Sequence, residues 1–162
     1  FMNACKNNCA KVVPILLEKA EEHSIDLAKT DVKGNNGFMT ACKHNSDKVV
    51  AILLEQNPMD VHKRNKSGMN GFMLACENNS SDKVLKMMFD KNSTFQFDFN
   101  AIDCNGRSGF ILAAINKREE AVDCILANYQ NHDISIKYIN KKNGYSGLDY
   151  VRQNWPKKTL PK

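Results

Sequence analysis

A short motif recurs along the chain at nearly constant spacing, and this periodicity constrains the fold more than any other feature. The copies read FMNAC, GFMTAC, GFMLAC, GFILAA and, more weakly, GLDYV. Their leading apolar residues are separated by 37, 34, 38 and 38 positions and are Phe1, Phe38, Phe72, Phe110 and Leu148. A period of this length is typical of supersecondary units that stack into a solenoid. We therefore predict one continuous array of repeats rather than two independent domains.

A second apolar pattern follows each of the first four copies and reads VVPILL, VVAILL, VLKMMF and AVDCIL. Apolar residues in it recur at i, i+3 and i+4, which gives a helix with a broad buried face. Each unit is thus predicted to contain a short first helix, a turn and a longer second helix beginning at an Asp or Ser cap. The wider spacing in the third unit fits an extra serine at Ser80 or Ser81. The residues predicted to be buried are Val49, Ile52, Leu53, Phe72, Val84, Met87, Met88 and Ile125.

A polar turn with a glycine at a fixed position precedes each first helix from the second unit onward. The turns read DVKGNNG, NKSGMNG, DCNGRSG and KNGYSG. Glycine adopts positive φ at little cost, so we expect a tight hairpin at each of Gly34, Gly68, Gly106 and Gly144.

The positions of the six cysteines indicate buried thiols rather than a disulfide framework. Cys5, Cys42 and Cys76 occupy one slot of the motif, which Ala114 fills in the fourth copy. A position that accepts either residue calls for a small apolar side chain. There is no CxxC pair and the four histidines are scattered. We therefore expect no zinc site, free thiols, and a reducing compartment such as the cytoplasm or nucleus.

The net charge of +5 is concentrated in the C-terminal tail. Residues 1–140 carry 17 basic and 17 acidic side chains, whereas residues 141–162 carry six basic and one acidic. We interpret this tail as a solvated end, with an anionic partner as the alternative. No apolar run approaches the roughly 20 residues of a membrane span, and no secretory signal is evident.

Together these motifs resemble the ankyrin repeat, whose unit is a β-turn followed by two helices. DVKGNNGFMTAC and DCNGRSGFILAA match the family's Asp, Gly, large apolar residue and paired small residues. The resemblance implies an all-α ankyrin-repeat solenoid of helix-turn-helix units joined by β-turn or hairpin loops, forming a single array over residues 1–162. The expected units are 1–30 (partial), 31–64, 65–102, 103–140 and 141–162 (a partial C-terminal cap).

The chain also departs from the family pattern. Asn-Gly or Ser-Gly replaces the usual Thr-Pro, and Met39, Met73 or Ile111 replaces the usual His. Three of the four connectors after the second helix are about four residues longer than the family's. Because the replaced Thr and His brace the family's turns with hydrogen bonds, their loss predicts looser hairpins.

The resemblance further implies a non-enzymatic scaffold that binds a protein partner on a concave groove of hairpin tips and first helices. The family's variable positions give a basic groove with apolar anchors when transferred to this chain. We expect the partner to be a protein segment with acidic residues beside one or two large apolar side chains. The predicted partner-binding residues are Lys33, Lys43, Arg64, Lys66, Met69, Ile102, Arg107, Ile115 and Tyr145.

Other functions are less favoured by the sequence. The phosphate-loop, nucleophile-elbow and zinc-protease motifs are missing, so we expect no catalytic residues and no cofactor. One alternative is binding to nucleic acid or an anionic membrane through the groove and tail. Another is a targeting module of a larger enzyme or effector. In addition, DFNAID around Asn100 resembles the turn asparagine that an oxygen-dependent hydroxylase modifies in some ankyrin proteins.

Overall fold

The structure is a computed structural model that describes residues 1–56, 60–78 and 82–161. The extra serine expected at Ser80 or Ser81 lies outside the described residues. Within them the chain forms short helices, and the isolated antiparallel bridges Ile102–Ser108 and Ile139–Ser146 close two of the hairpins. The helices are α1 (Met2–Lys6), α2 (Val12–Glu18), α3 (Gly37–Lys43), α4 (Asp47–Gln56), α5 (Gly71–Asn78), α6 (Lys83–Asp90), α7 (Asn92–Phe95), α8 (Gly109–Ile115), α9 (Glu119–Asn128) and α10 (Gly147–Asn154).

The helices are arranged in two rows, as expected for stacked helix pairs. The first helices α1, α3, α5, α8 and α10 contact one another in chain order, and the second helices α2, α4, α6 and α9 do the same. Each first helix except α10 also packs against the second helix of its own unit. The predicted all-α solenoid of helix pairs is therefore confirmed.

The first helices begin at side-chain caps that the motif supplies. The Oδ1 atoms of Asn36 and Asn70 each accept a hydrogen bond, at 2.9 Å, from the backbone N–H three residues ahead. Ser108 and Ser146 do the same through Oγ, at 3.3 and 3.2 Å. The Asn and Ser residues at the family's Thr position thus satisfy helix-terminal donors.

The second helices begin differently from the prediction. Asp82 precedes α6 in a helical conformation, makes no side-chain cap and pairs instead with Lys86 at 2.7 Å. A capping residue needs an extended backbone to direct its oxygen at the helix terminus, so the expected Asp cap is wrong here. At α4 the cap comes from the preceding unit, since the Oδ1 atom of Asn8 accepts from the Val49 N–H at 3.1 Å.

The leading aromatic residue of each motif packs against the glycine that opens the next motif. A methyl group built on Gly71 would lie 2.7 Å from Phe38 Cε1, and one on Gly109 would lie 2.5 Å from Phe72 Cε1. These distances are too short for a Cβ atom, so glycine is what allows the aromatic ring to lie between neighbouring units. The recurring GF dipeptide thus reflects one kind of contact between units. Its glycine lies against the preceding unit, and its phenylalanine packs against the following unit.

Most of the predicted core is buried, with two exceptions. Val49, Leu53, Phe72, Val84, Met88 and Ile125 are all buried. Ile52 and Met87 are only partly buried and pack against the core from its edge. They hold the same position in α4 and α6, at the border of the buried face, where neighbouring helices cover only part of the side chain.

The connector after α6 contributes aromatic residues that the periodic pattern did not identify. It forms the short helix α7, turns at Gln96 with φ 51°, and buries Phe95, Phe97 and Phe99. Phe97 stacks on Phe38 with ring centroids 6.2 Å apart, so this connector reaches back to the second unit. The additional residues of this connector therefore extend the hydrophobic core and do not form an exposed loop.

Candidate functional site

The candidate site is the edge of the solenoid formed by four hairpins, residues 30–36, 64–70, 102–108 and 139–146, which we term the hairpin row. Gly34, Gly68, Gly106 and Gly144 have φ between 72° and 84°, as their spacing predicted. In this region of the backbone glycine carries little steric cost.

Each hairpin is braced by the side chain of one Asp or Asn. Asp31 Oδ1 accepts the backbone N–H groups of Lys33 and Asn35, both at 2.9 Å. Asn65 and Asp103 accept two equivalent N–H groups each, and Asn140 accepts that of Lys142. Replacement of the family's Thr and His therefore leaves each hairpin with bracing hydrogen bonds from its own Asp or Asn.

Neighbouring hairpins are also bonded to one another. The Lys66 N–H donates to Lys33 O at 3.0 Å, and the Cys104 N–H donates to Ser67 O at 2.9 Å. The Asn140 side chain extends this ladder by donating to Asn105 O at 3.1 Å. The row is thus one connected edge whose side chains have a defined order and spacing.

The four basic side chains of the first three hairpins fall into two groups. Lys33 and Lys66 are exposed, and neither enters an ion pair with another residue of the described part of the chain. Arg64 is held by Asp98 at 2.9 Å and by Ile102 O at 3.1 Å. Arg107 is held by the buried carboxylate of Asp103 at 2.6 Å. The two lysines thus make no ion pair among the described residues, whereas the two arginines brace the fold.

Lys43 lies at the end of α3, where it is half-buried. Next to it, burial and the charges of Lys43 and Lys6 lower the pKa of His44. Burial raises the pKa of Asp31, but hydrogen bonds from Asn35 and Lys33 and the charge of Lys43 outweigh it, so the net shift is downward. At neutral pH this end of the groove therefore carries lysine charge, a neutral histidine and an ionised Asp31.

Met69 does not lie where the sequence analysis expected an exposed anchor. It is 5% exposed and belongs to a second buried cluster with Met39, Met73, Leu74, Ala101 and Leu112. Its backbone N–H is bonded to Asn65 Oδ1, which turns the hairpin so that the side chain points inward. Met69 therefore serves the core and offers no surface to a partner.

The other apolar residues of the candidate site are accessible to different extents. Ile102 and Tyr145 are exposed on the hairpin row, and Ile115 is half-buried at the end of α8. Tyr145 packs on Tyr150 with ring centroids 5.7 Å apart.

Two more exposed apolar residues lie on the hairpin row, Val32 at 87% and Ile139 at 56% exposure. Val32 occupies one of the family's variable positions, although it is not among the predicted apolar anchors, whereas Ile139 was missed. Ile139 directly precedes the bracing Asn140 just as Ile102 precedes Asp103, so this register could have identified it from the sequence.

Asn100 lies in the connector that leads into the third hairpin, and its side chain joins this connector to the next one. Its Nδ2 donates to Asp133 O and its Oδ1 accepts from the Ser135 N–H, both at 2.8 Å. The asparagine that resembles a hydroxylation site thus already makes two hydrogen bonds through its side-chain amide.

No metal centre is formed by the residues that the structure describes, since none of them come together as three or more His, Cys, Asp or Glu side chains. The six cysteines are free thiols, with Cys104 exposed on the hairpin row and Cys9 partly exposed. Burial raises the pKa of Cys5 and of Cys124 to about 11, and raises those of Cys42 and Cys76 further. These four thiols are therefore protonated and chemically quiet at neutral pH.

A cavity of about 570 Å³ is lined by residues between 129 and 138, outside the four hairpins. It is an open depression between the end of α9 and the connector that follows, lined in part by Tyr129 and Tyr138. An open depression of this kind is not the enclosed, convergent pocket of a small-molecule site. Among the described helices, none combines the length and apolar character needed to cross a membrane.

Comparison with known families agrees with the helix pairs and hairpins. The family model of ankyrin repeats (3 copies) matches residues 1–98 and again residues 38–138. The chain belongs to the ankyrin-repeat family. No curated protein matches it. Ankyrin repeats are generally protein–protein interaction modules and are typically non-enzymatic.

Proposed function

We propose that these ankyrin repeats form a non-enzymatic scaffold whose hairpin row and adjoining first helices bind an acidic and apolar segment of a partner protein. The observation that carries the proposal is the set of exposed apolar side chains on this braced edge, beside lysines with no ion pair among the described residues. A surface of this composition matches a partner with acidic and large apolar residues.

The large apolar residues of the row lie mainly in its last two hairpins. Lys33 and Lys66 belong to the hairpins nearer the N-terminus, together with the exposed Val32, whereas Ile102, Ile139 and Tyr145 belong to those nearer the C-terminus, beside Lys141 and Lys142. A partner segment would therefore lie along the row with its largest apolar residues near Ile102, Ile139 and Tyr145, and with acidic residues near Lys33 and Lys66. Lys43 and Ile115 would extend the surface onto the first helices.

The rigidity of the hairpin row favours binding of a partner segment. Ordering a flexible surface on binding costs conformational entropy, and a surface that is already ordered avoids that cost. The ladder between hairpins and the ion pairs of Arg64 and Arg107 hold the row in place before any partner arrives. In this proposal the two arginines act as braces, which modifies the role that the sequence suggested for them.

The alternative of nucleic-acid or membrane binding receives less support from the contacts. In the basic tail, Lys158 pairs with Glu119 at 3.1 Å and also with Asp123. Tyr145 is the exposed aromatic residue of the described hairpin row. Successive nucleic-acid bases would therefore find a single aromatic side chain there on which to stack.

A role as targeting module of a larger enzyme or effector is compatible with our proposal. Free thiols favour a reducing compartment, cytoplasm or nucleus.

A library of random peptides tests the proposal and requires no identified partner. Peptides displayed on phage are selected on the wild-type protein, and the enriched peptides are measured by surface plasmon resonance. We expect peptides that combine acidic and large apolar residues. Their binding should weaken about tenfold or more in an Ile139→Ser/Tyr145→Ser variant, because the apolar contacts of about 1 to 2 kcal/mol each are lost.

Association and dissociation rates distinguish the role of the lysines from that of the apolar residues. Lys33→Glu/Lys66→Glu should mainly slow association and reduce its salt dependence, whereas Ile139→Ser or Ile115→Ala should mainly speed dissociation. Lys48→Glu is the matched control, since Lys48 is an exposed residue of the second-helix row. Selected peptides without acidic residues, or equal affinity for wild type and the Ile139→Ser/Tyr145→Ser variant, would contradict the proposal. Steeply salt-dependent binding to single-stranded DNA or anionic vesicles that Lys33→Glu/Lys66→Glu abolishes would favour the alternative.

A further inference from the structure

A second, smaller cavity lies between two successive connectors, at the base of the second hairpin. Its volume is about 160 Å³. Val61 comes from the connector after α4 and Phe97 from the connector after α6, while Phe72 and Met88 come from α5 and α6. The cavity therefore forms only when neighbouring units stack, and no single segment of the chain contains it.

The inner wall of this cavity is apolar and partly aromatic. Phe72, Met88, Val61 and Phe97 are all buried. Phe72 and Phe97 both contact Phe99, with ring centroids 4.8 and 6.0 Å away. Contacts between aromatic rings in edge-on or offset geometry are favourable beyond the area that they bury. A further ring in the cavity would thus extend an existing cluster of rings.

The mouth of the cavity is polar, and its charged groups are paired with one another. The exposed residues that line the cavity are His62, Arg64 and Asp98. Arg64 donates to Asp98 Oδ2 at 2.9 Å and to Ile102 O at 3.1 Å. Asn70 Nδ2 donates to Asp98 O at 2.8 Å. A charged ligand would have to compete with the pair of Arg64 and Asp98, so the mouth favours an uncharged ligand.

We infer that this cavity is a binding site for a single uncharged aromatic ring. An apolar cavity of about 150 Å³ is large enough to bind benzene, so the volume suits one six-membered ring. A free monocyclic compound and the side chain of a partner's phenylalanine or tyrosine present this same chemistry. The lining includes only Arg64 and Asn70 from the hairpin row, so the inference stands independently of the proposed function.

Titration with phenol tests for the site, followed by NMR of protein labelled with ¹³C in its methionine methyl groups. We expect a saturable shift of the Met88 methyl resonance and nuclear Overhauser effects between this methyl group and the phenol ring protons. Met87 is the matched control, because it neighbours Met88 in α6 and does not line the cavity. A Kd of about 1 mM or tighter suits a ligand of about seven non-hydrogen atoms.

Related probes and one substitution define the specificity. Benzoate should bind at least about tenfold more weakly than phenol because it carries a charge into an apolar site. Cyclohexanol should bind at least about threefold more weakly because it lacks an aromatic ring. Val61→Ile adds a methylene group to the cavity wall and should weaken phenol binding about fivefold or more. Val32→Ile is the matched control, since Val32 is exposed on the first hairpin.

Competition between phenol and peptides distinguishes the two sources of the ring. If phenol displaces phage-selected peptides that contain phenylalanine or tyrosine, the ring belongs to a partner protein. If phenol binds at Met88 without displacing them, the ligand is a free aromatic compound. The wild-type Overhauser effects locate the ring even if Val61→Ile is unstable. No saturable shift at Met88, equal shifts at Met88 and Met87, or equal affinities for phenol and cyclohexanol would overturn the inference.

Discussion

Asp103 and Arg107 form an ion pair inside the third hairpin. Asp103 Oδ2 lies 2.6 Å from Arg107 Nη2 and 2.8 Å from Nε, while Oδ1 accepts the N–H groups of Asn105 and Arg107. The Asp103 side chain is 1% exposed, so the carboxylate depends on these donors in place of water. At the same position of the first hairpin, Asp31 makes the same backbone contacts from an exposed site.

This difference predicts unequal effects of the same substitution. Asp103→Ala leaves the Arg107 guanidinium without its carboxylate and should lower the free energy of unfolding by about 3 kcal/mol. Asp31→Ala removes an exposed brace and should lower it by about 1 kcal/mol. Urea unfolding followed by circular dichroism measures both. Equal losses would show that burial of the Asp103 pair has no energetic consequence.

Core and surface positions of the second unit should respond differently to truncation. Leu53 is fully buried between second helices, so Leu53→Ala should lower the free energy of unfolding by about 2 to 5 kcal/mol through lost burial and a residual cavity. Lys33 is exposed on the hairpin row, and Lys33→Ala should change it by under about 0.5 kcal/mol. Similar values for the two variants in the same urea experiment would contradict the packing described.

The contact between Gly71 and Phe38 predicts a compensating pair of substitutions. Gly71→Ala places a methyl group against the Phe38 ring and should lower the free energy of unfolding by about 1 to 3 kcal/mol. Phe38→Leu removes the part of the ring that would collide, so the double variant should be more stable than the two separate losses predict. The cycle compares the wild type, the two single variants and the double variant. Strictly additive changes in the free energy of unfolding would count against this contact.

The burial of the cysteines predicts which thiols react first. In the folded protein, iodoacetamide should modify Cys104 fastest and Cys9 more slowly, while Cys5, Cys42, Cys76 and Cys124 stay protected. After denaturation without reductant, all six should be modified. Mass spectrometry of peptides from timed samples measures both stages. Rapid labelling of Cys42 or Cys76 under native conditions would contradict their place in the core.

The repeat architecture follows directly from the sequence pattern. The spacing of Phe38, Phe72 and Phe110 set the repeat, and the apolar pattern around Val49 and Leu53 set the second helices. Glycine at four equivalent positions predicted the positive φ of the hairpins. These features are local or periodic, and backbone geometry converts them into structure with little reference to distant residues.

Which candidate residues are exposed depends on tertiary contacts that the sequence pattern does not show. Met69 and Tyr145 follow equivalent glycines, yet Met69 is buried in the second core cluster and Tyr145 is exposed beside Tyr150. The two arginines became braces because Asp98 and Asp103 lie within reach. Phe95, Phe97 and Phe99 joined the core because a long connector could fold back onto earlier units. Exposure and ion pairing depend on neighbours that stacking brings together, and no periodic pattern in one segment encodes them.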